Sequence, residues 1–154
     1  MPDDLYWDDT LLWSERQSAL LRRLAAGERV NDVDWEHVIE EIEDVGKTEL
    51  RACTSLLQRA TEHLLNLTLW PDNEAALHWR AEVRVFLREA RRAFSPSMRQ
   101  NIDLPEVYAD SIETIGETDT AHLLAQAPPK CPFALNDLLG ARPNLDALLA
   151  KLRP

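Results

Sequence analysis

The fold of this chain is decided by residues 34–69, which read DWEHVIEEIEDVGKTELRACTSLLQRATEHLLNLTL. Asp34 is a good N-cap, because its carboxylate can accept the free backbone N–H groups of a first helical turn. Pro71 ends the pattern, since proline is not tolerated inside a helix. One helix of about 35 residues, or about 50 Å at 1.5 Å per residue, is therefore predicted. Its apolar stripe is Val38, Ile42, Val45, Cys53, Leu56, Ala60, Leu64 and Leu67.

Shorter helical patterns flank this long helix. They lie over about 6–26, 73–94, 104–116, 133–139 and 144–152. The segment 127–132 contains three prolines, so it cannot be helical throughout. The last of these helices, 144–152, is amphipathic, and we expect it to pack loosely.

The composition agrees with a helical fold. Leu and Ala together number 43, against 12 for Val and Ile, and straight-chain residues lose less side-chain freedom in a helix than β-branched ones. The sequence predicts an all-α protein, an antiparallel helical bundle with one long central helix and shorter C-terminal helices. We expect a single domain over 1–154, with a core over about 5–126 and a proline-rich loop with short helices over 127–154.

The charge is acidic but unevenly distributed. The net charge is −10, which disfavours nucleic acid as a partner, because such binding depends on Lys and Arg contacts with phosphates. Residues 1–50 hold 14 acids and 5 bases, a net of −9, whereas residues 51–100 hold 5 acids and 8 bases, a net of +3. Folding the middle segment against the first could pair these charges.

The sequence has no feature of export or membrane insertion. The segment Met1–Asp9 contains four aspartates and no basic residue, unlike a signal peptide. No apolar run reaches the roughly 20 residues of a membrane span. The two cysteines, Cys53 and Cys131, are too few for a disulfide framework or a metal knuckle. We expect a cytoplasmic protein with no membrane contact.

An ordered set of residues runs through most of the chain, from about Tyr6 to Leu139. Its members are Tyr6-Trp7-Asp8, Trp13, Gln17, Leu20-Leu21-Arg22, Asp34, Glu40-Glu41-Ile42-Glu43, Gly46, Glu49, His63-Leu64-Leu65, Trp79, Ser95-Pro96-Ser97 and Cys131-Pro132. This set resembles the bacterial family known as domain of unknown function 29, although Asn66 stands where the family usually has a Lys after His-Leu-Leu. The resemblance implies a helical bundle and supplies no established activity.

A buried polar cluster is the first candidate site. Glu49 lies close to the centre of the apolar stripe, where a carboxylate needs a partner or must be neutral. If a tight hairpin joins the first two helices, the donor-only indole of Trp13 lies level with Glu49, and Gln17 lies nearby on the same helix. Arg91 and Arg92 would approach from the third helix. The cluster would either fix the helix register or hold a ligand, with Glu49 as a weak catalytic candidate.

A divalent metal site is a second candidate. His63 and His78 are expected at the same height on neighbouring helices, with Glu82 one turn beyond His78. Imidazole and carboxylate groups are usual metal ligands, and His63 is also a weak catalytic candidate. A satisfied structural histidine is the competing interpretation. The sequence therefore favours no metal and no other cofactor.

A row of arginines is the third candidate. Arg80, Arg84, Arg88 and Arg91 recur at helical spacing on the third helix. They could form ion pairs with nearby acids, or they could bind an anionic partner such as a phosphate or an acidic protein.

Three functional classes remain open at this point. The sequence lacks a glycine-rich phosphate loop, a nucleophile elbow and a zinc-protease motif, which favours a non-enzymatic protein that associates with a protein partner or with itself. The first alternative is a metal- or carboxylate-dependent enzyme that uses a His/Glu cluster between helices. The second is an anion or nucleic-acid binder that uses the arginine row.

Overall fold

The computed structural model of the chain describes residues 5–117 and 124–153. Within these ranges 73 % of the residues are helical and no strand occurs, which confirms the predicted all-α class. Residues 118–123, which the predicted core includes, lie outside the described residues. The helices are α1 Leu5–Asp8, α2 Thr10–Ala25, α3 Trp35–Leu69, α4 Ala76–Ala93, a 3-10 helix Pro96–Gln100, α5 Leu104–Gly116, α6 Leu135–Leu139 and α7 Leu145–Leu152.

The chain forms two compact units, Met1–Lys47 and Thr48–Pro154. The first unit contains α1, α2 and the beginning of α3, and the second contains the rest of α3 and all later helices. The organisation of the whole chain as one domain stays a prediction.

The first predicted helix is interrupted in the structure. Asp9 lies between α1 and α2, with φ −150° and ψ 81°, and its side chain accepts the backbone N–H of Leu12 at 3.0 Å. An aspartate that caps a new helix competes with continuation of the old one. Asp9 therefore ends one helix and starts the next.

The loop between α2 and α3 is a long, extended segment and not a tight turn. It covers residues 26–34, and a nearly extended chain of that length can span roughly 30 Å. Asp34, at the start of α3, contacts Trp13 in the first half of α2. The loop therefore runs back along α2, so that α3 begins level with Trp13.

The second unit has a continuous apolar core. Helix α5 begins at Leu104, as predicted. Asp103 caps it by accepting the backbone N–H of Glu106 at 3.0 Å. Cys53 is fully buried on α3, and its thiol donates to the carbonyl of Ala90 on α4 at 3.4 Å. Burial raises the pKa of the Cys53 thiol. The fully buried large residues of this unit are Leu57, Leu64, Leu65, Leu87, Leu138, Leu152, Val83 and Tyr108.

The expectation of a loosely packed C-terminal helix is wrong. Helix α7 buries all four of its leucines in the core, and Asn144 caps it by accepting the backbone N–H of Ala147 at 3.1 Å. Two surface contacts add to this packing: Asp146 accepts from Arg80 at 2.9 Å, and Asp137 of α6 accepts from Lys151 at 2.7 Å. The helix is therefore an integral part of the core.

Candidate functional site

A polar cluster forms in the first unit around Asp34 and not around Glu49. The indole N–H of Trp13 donates to Asp34 Oδ2 at 3.0 Å, and the backbone N–H of Asp34 donates to Gln17 Oε1 at 2.9 Å. His37 Nδ1 lies 2.7 Å from the same Asp34 oxygen. We call Trp13, Gln17, Asp34 and His37 the Asp34 cluster. The structure brings together the predicted Trp13 and Gln17, and their partners are Asp34 and His37, which the sequence analysis did not place in the cluster.

The predicted role of Glu49 in a buried cluster is wrong. Glu49 is exposed and has no hydrogen bond or ion pair among the residues that the structure describes. Neither arginine reaches it, since Arg91 donates to the carbonyl of Ala141 at 2.9 Å and Arg92 donates to Glu89 at 3.3 Å.

The predicted pairing of Trp13 with Glu49 assumes a tight turn between α2 and α3, and the loop is extended instead. The extended loop shifts the pairing of the two helices, so that Trp13 meets Asp34 and not Glu49. The contact between Tyr6 and Glu41 follows the same register, because Tyr6 lies two turns before Trp13 and Glu41 lies two turns after Asp34.

Aromatic rings close the Asp34 cluster on the side of α1. The Tyr6 hydroxyl donates to Glu41 Oε1 at 2.7 Å, and this hydrogen bond raises the pKa of Tyr6 to about 12. The Tyr6 ring stacks on the His37 ring, with 3.9 Å between centroids, and meets the Trp13 ring edge-on at 4.9 Å. These contacts hold α1 and α2 against the first turns of α3.

The Asp34 carboxylate is held in its charged form. Burial alone would raise its pKa, but the hydrogen bonds from His37 and Trp13 outweigh that effect and lower the pKa below the usual 3.8. A carboxylate with a lowered pKa in the folded state stabilises the protein above its unfolded pKa. That contribution is lost as the pH falls through the folded value.

We expect Asp34→Asn to lower the free energy of unfolding by about 1–3 kcal/mol at pH 7, because charge-assisted hydrogen bonds are lost. The difference from the parent should shrink below pH 4, where the parent carboxylate also becomes protonated. Urea denaturation of both proteins at pH 7 and pH 3 measures this. Asp32→Asn, at an exposed position of the same loop, should change little. A difference that stays constant with pH would contradict the role assigned to Asp34.

The histidine and glutamate residues proposed for a metal site do meet in the second unit. His63 Nε2 lies 2.6 Å from Glu82 Oε2, and His78 Nε2 lies 3.2 Å from Glu82 Oε1. One carboxylate thus bridges both rings. His63 Nδ1 is buried and has no hydrogen-bond partner in the part of the chain that the structure describes, and the His63 ring centroid lies 5.5 Å from that of Phe86.

These contacts do not bring together the two weak catalytic candidates, Glu49 and His63. Glu49 and His63 lie on the same helix about 21 Å apart at 1.5 Å per residue, so they cannot share one reacting group. Among residues 5–117 and 124–153, no group of three or more His, Cys, Asp or Glu side chains is arranged to hold a metal ion.

The arginine row is divided by the fold. Arg80 pairs with Asp146 at 2.9 Å. Arg84, Arg88 and Arg91 instead line a pocket of about 310 Å³ between α4 and the loop after α6. Arg142 from that loop joins them. Arg142 could not be predicted as a member of this group, because its position depends on how α6 and α7 pack.

An apolar face of α3 is exposed in the first unit. Trp35, Ile39 and Ile42 lie along it with 52 %, 53 % and 68 % of their surface exposed, and Val45 beside them is 66 % exposed. We call these four residues the exposed α3 face. The prediction that Ile42 and Val45 are buried is wrong: α1 and α2 contact α3 through His37, Val38 and Glu41, in the first two turns, and leave Ile42 and Val45 exposed.

The fold and these surfaces define an all-helical protein with an uncovered apolar face on its first unit. The chain belongs to the family described as Domain of unknown function DUF29, which matches residues 5–142. It is also similar to the crystal structure of an alpha-helical protein of unknown function from Rhodospirillum rubrum ATCC 11170, with 27 % identity and a TM-score of 0.67. That similarity covers 97 % of this chain and 98 % of the other. Among curated proteins, none matches significantly.

No helix in the described part of the chain is both long enough and apolar enough to cross a membrane.

Proposed function

We propose that this protein acts through self-association, and that the exposed α3 face is where two copies meet. The observation that carries the proposal is the exposure of Trp35, Ile39, Ile42 and Val45 on one helix. Four large apolar side chains that are each more than half exposed form a patch on the order of 300–600 Å², the size of the largest apolar patch on a typical monomer. A standard interface buries about 800 Å² per partner, so this face supplies about half of that share and a polar rim supplies the rest.

The helical phase of α3 supports a covered face. Trp35, Ile39 and Ile42 are followed, each 18 residues further along the helix, by Cys53, Leu57 and Ala60. Eighteen residues are about five turns, so the two sets lie on the same side of α3. The second set is fully buried by other helices of its unit. The same apolar stripe is therefore buried in the second unit and exposed in the first, where a second protein surface could cover it.

The charges of the first unit favour a second copy as that cover. Helix α2 holds one acid and three bases, whereas residues 35–47 of α3 hold five acids and one base. A two-fold pairing that sets α2 of one copy beside α3 of the other brings opposite charges together twice. A closed pairing of this kind also covers both apolar faces at once.

Ile42→Lys tests the proposal. We expect the parent chain to be dimeric by sedimentation velocity at about 50 µM, and the variant to dissociate with a Kd raised about 100-fold or more, because a lysine would be buried without a partner. Leu77→Lys is the matched control, since Leu77 is 82 % exposed on α4 of the second unit and lies outside the proposed interface.

The same two variants show whether the fold is kept and which results would contradict self-association. Circular dichroism should show the parent helix content in both, so that loss of the dimer is not loss of the fold. A parent chain that is monomeric up to about 100 µM, or equal dissociation of the two variants, would refute self-association through this face.

A further inference from the structure

The second unit contains a pocket whose charged lining is entirely basic. Its volume is about 310 Å³, and its seven lining residues include four arginines and no acid. Three of the arginines come from α4 and the fourth from the loop after α6. The lining residues are Arg84, Arg88, Arg91, Gly140, Ala141, Arg142 and Pro143.

Most of this positive charge is not neutralised by the protein. Arg84 and Arg142 make no ion pair or hydrogen bond with any residue that the structure describes. Within the described ranges, Arg91 donates only to the neutral carbonyl of Ala141. Arg88 lies 3.7 Å from Glu89, a carboxylate that also pairs with Arg92 at 3.3 Å.

Two carboxylates of α6 and α7 have partners outside the pocket. Asp146 pairs with Arg80 at 2.9 Å, and Asp137 pairs with Lys151 at 2.7 Å. Arginines three and four positions apart on one helix repel each other. The fold thus gathers four arginines at one concave place, and among the described residues only Arg88 has a carboxylate partner there, so an anionic ligand could supply the missing counter-charge.

We propose that this pocket binds the phosphoryl group of a small phosphate monoester. The planar guanidinium of arginine donates two parallel hydrogen bonds to phosphate oxygens, and several arginines around one concavity match a dianion. The volume lies within the range of small-molecule pockets, at its lower end. Nucleic acid fits less well, because the net charge of −10 repels a long polyanion. A small anion inside the pocket is screened from distant acids beyond about 10 Å.

Titration of the full chain tests the proposal. The probes are inorganic phosphate and glycerol 3-phosphate, each added at constant ionic strength made up with sodium chloride, with binding followed by calorimetry. We expect both to bind at millimolar concentrations or below. Tighter binding of glycerol 3-phosphate would show that the pocket also contacts the organic part of the ligand, and equal binding would limit recognition to the phosphoryl group.

Paired variants give the test its specificity. Arg84→Gln combined with Arg142→Gln should weaken binding about ten-fold or more, because charge-assisted hydrogen bonds are lost while a polar, uncharged side chain remains. Arg92→Gln is the matched control, since Arg92 lies on the same helix but outside the pocket, and it should change binding less than two-fold. The variants should unfold at the parent temperature or above it, as like-charge repulsion is relieved.

Three results would overturn the proposal. The first is no heat of binding with either probe up to 10 mM. The second is an equal loss of binding in the Arg92→Gln control, which would indicate general charge attraction. The third is binding of a DNA or RNA oligonucleotide that competes with both probes and is tighter than either.

Discussion

Ending the chain after Asn144 is expected to prevent folding of the second unit. The change removes α7 and with it the side chains of Leu145, Leu148, Leu149 and Leu152, none of which is more than 6 % exposed. Burial of a leucine contributes about 1.5–3 kcal/mol, so the loss is about 6–12 kcal/mol. Whole domains are stable by only about 5–15 kcal/mol. A cooperative urea transition followed by circular dichroism should be absent or strongly shifted.

The control for this truncation separates burial from surface contacts. Asp146→Asn combined with Lys151→Gln breaks two exposed ion pairs of α7 and keeps its leucines. Such pairs contribute about 0–1 kcal/mol each, so the double variant should remain cooperative. A truncated chain with the parent midpoint would mean that α7 does not belong to the core.

Trp13→Ala is expected to unfold the first unit locally. Among the described residues of that unit only Trp13 and Val38 are buried apolar side chains, so its packing depends on very few contacts. Removing a buried tryptophan costs about 3–5 kcal/mol, and Asp34 also loses a donor. Amide hydrogen exchange should show lost protection in Thr10–Ala25, while the α3 residues packed in the second unit keep theirs.

Trp7→Ala is the comparison for this experiment. Trp7 is 72 % exposed and contacts the Tyr6 and His37 rings edge-on, so its removal should cost about 1 kcal/mol. Both variants are best measured together with Ile42→Lys, because association of two copies would otherwise add to the stability of the unit. Equal loss of protection in the two variants would contradict the assignment of Trp13 as the anchor.

The sequence predicted the long helix well because its signals are local. Asp34 precedes an apolar repeat and Pro71 follows it, and both act within a few residues of the helix ends. The observed α3, Trp35–Leu69, has the predicted 35 residues. The helix predicted over about 104–116 is α5, Leu104–Gly116, and it also begins at a local signal, the capping side chain of Asp103.

Features that depend on tertiary contacts were predicted less well. The register of α2 against α3 depends on how an extended loop returns, which no local pattern encodes, and Glu49 was misplaced as a result. The exposure of Ile42 and Val45 could not be read from an apolar stripe, because a stripe predicts that a face is covered without stating by what. Three of the four pocket arginines follow from helical spacing, whereas Arg142 comes from a distant loop.

The burial of Cys53 makes it a natural reporter of opening in the second unit. A thiol reagent attacks the thiolate, and Cys53 offers neither a solvent path nor an ordinary pKa while the unit is closed. Its modification rate therefore follows the population of molecules in which α3 and α4 have separated. In a variant with Cys131 replaced by serine, Cys53 is the one remaining cysteine. Its rate of modification in native buffer would then measure how often the helices separate, without denaturant.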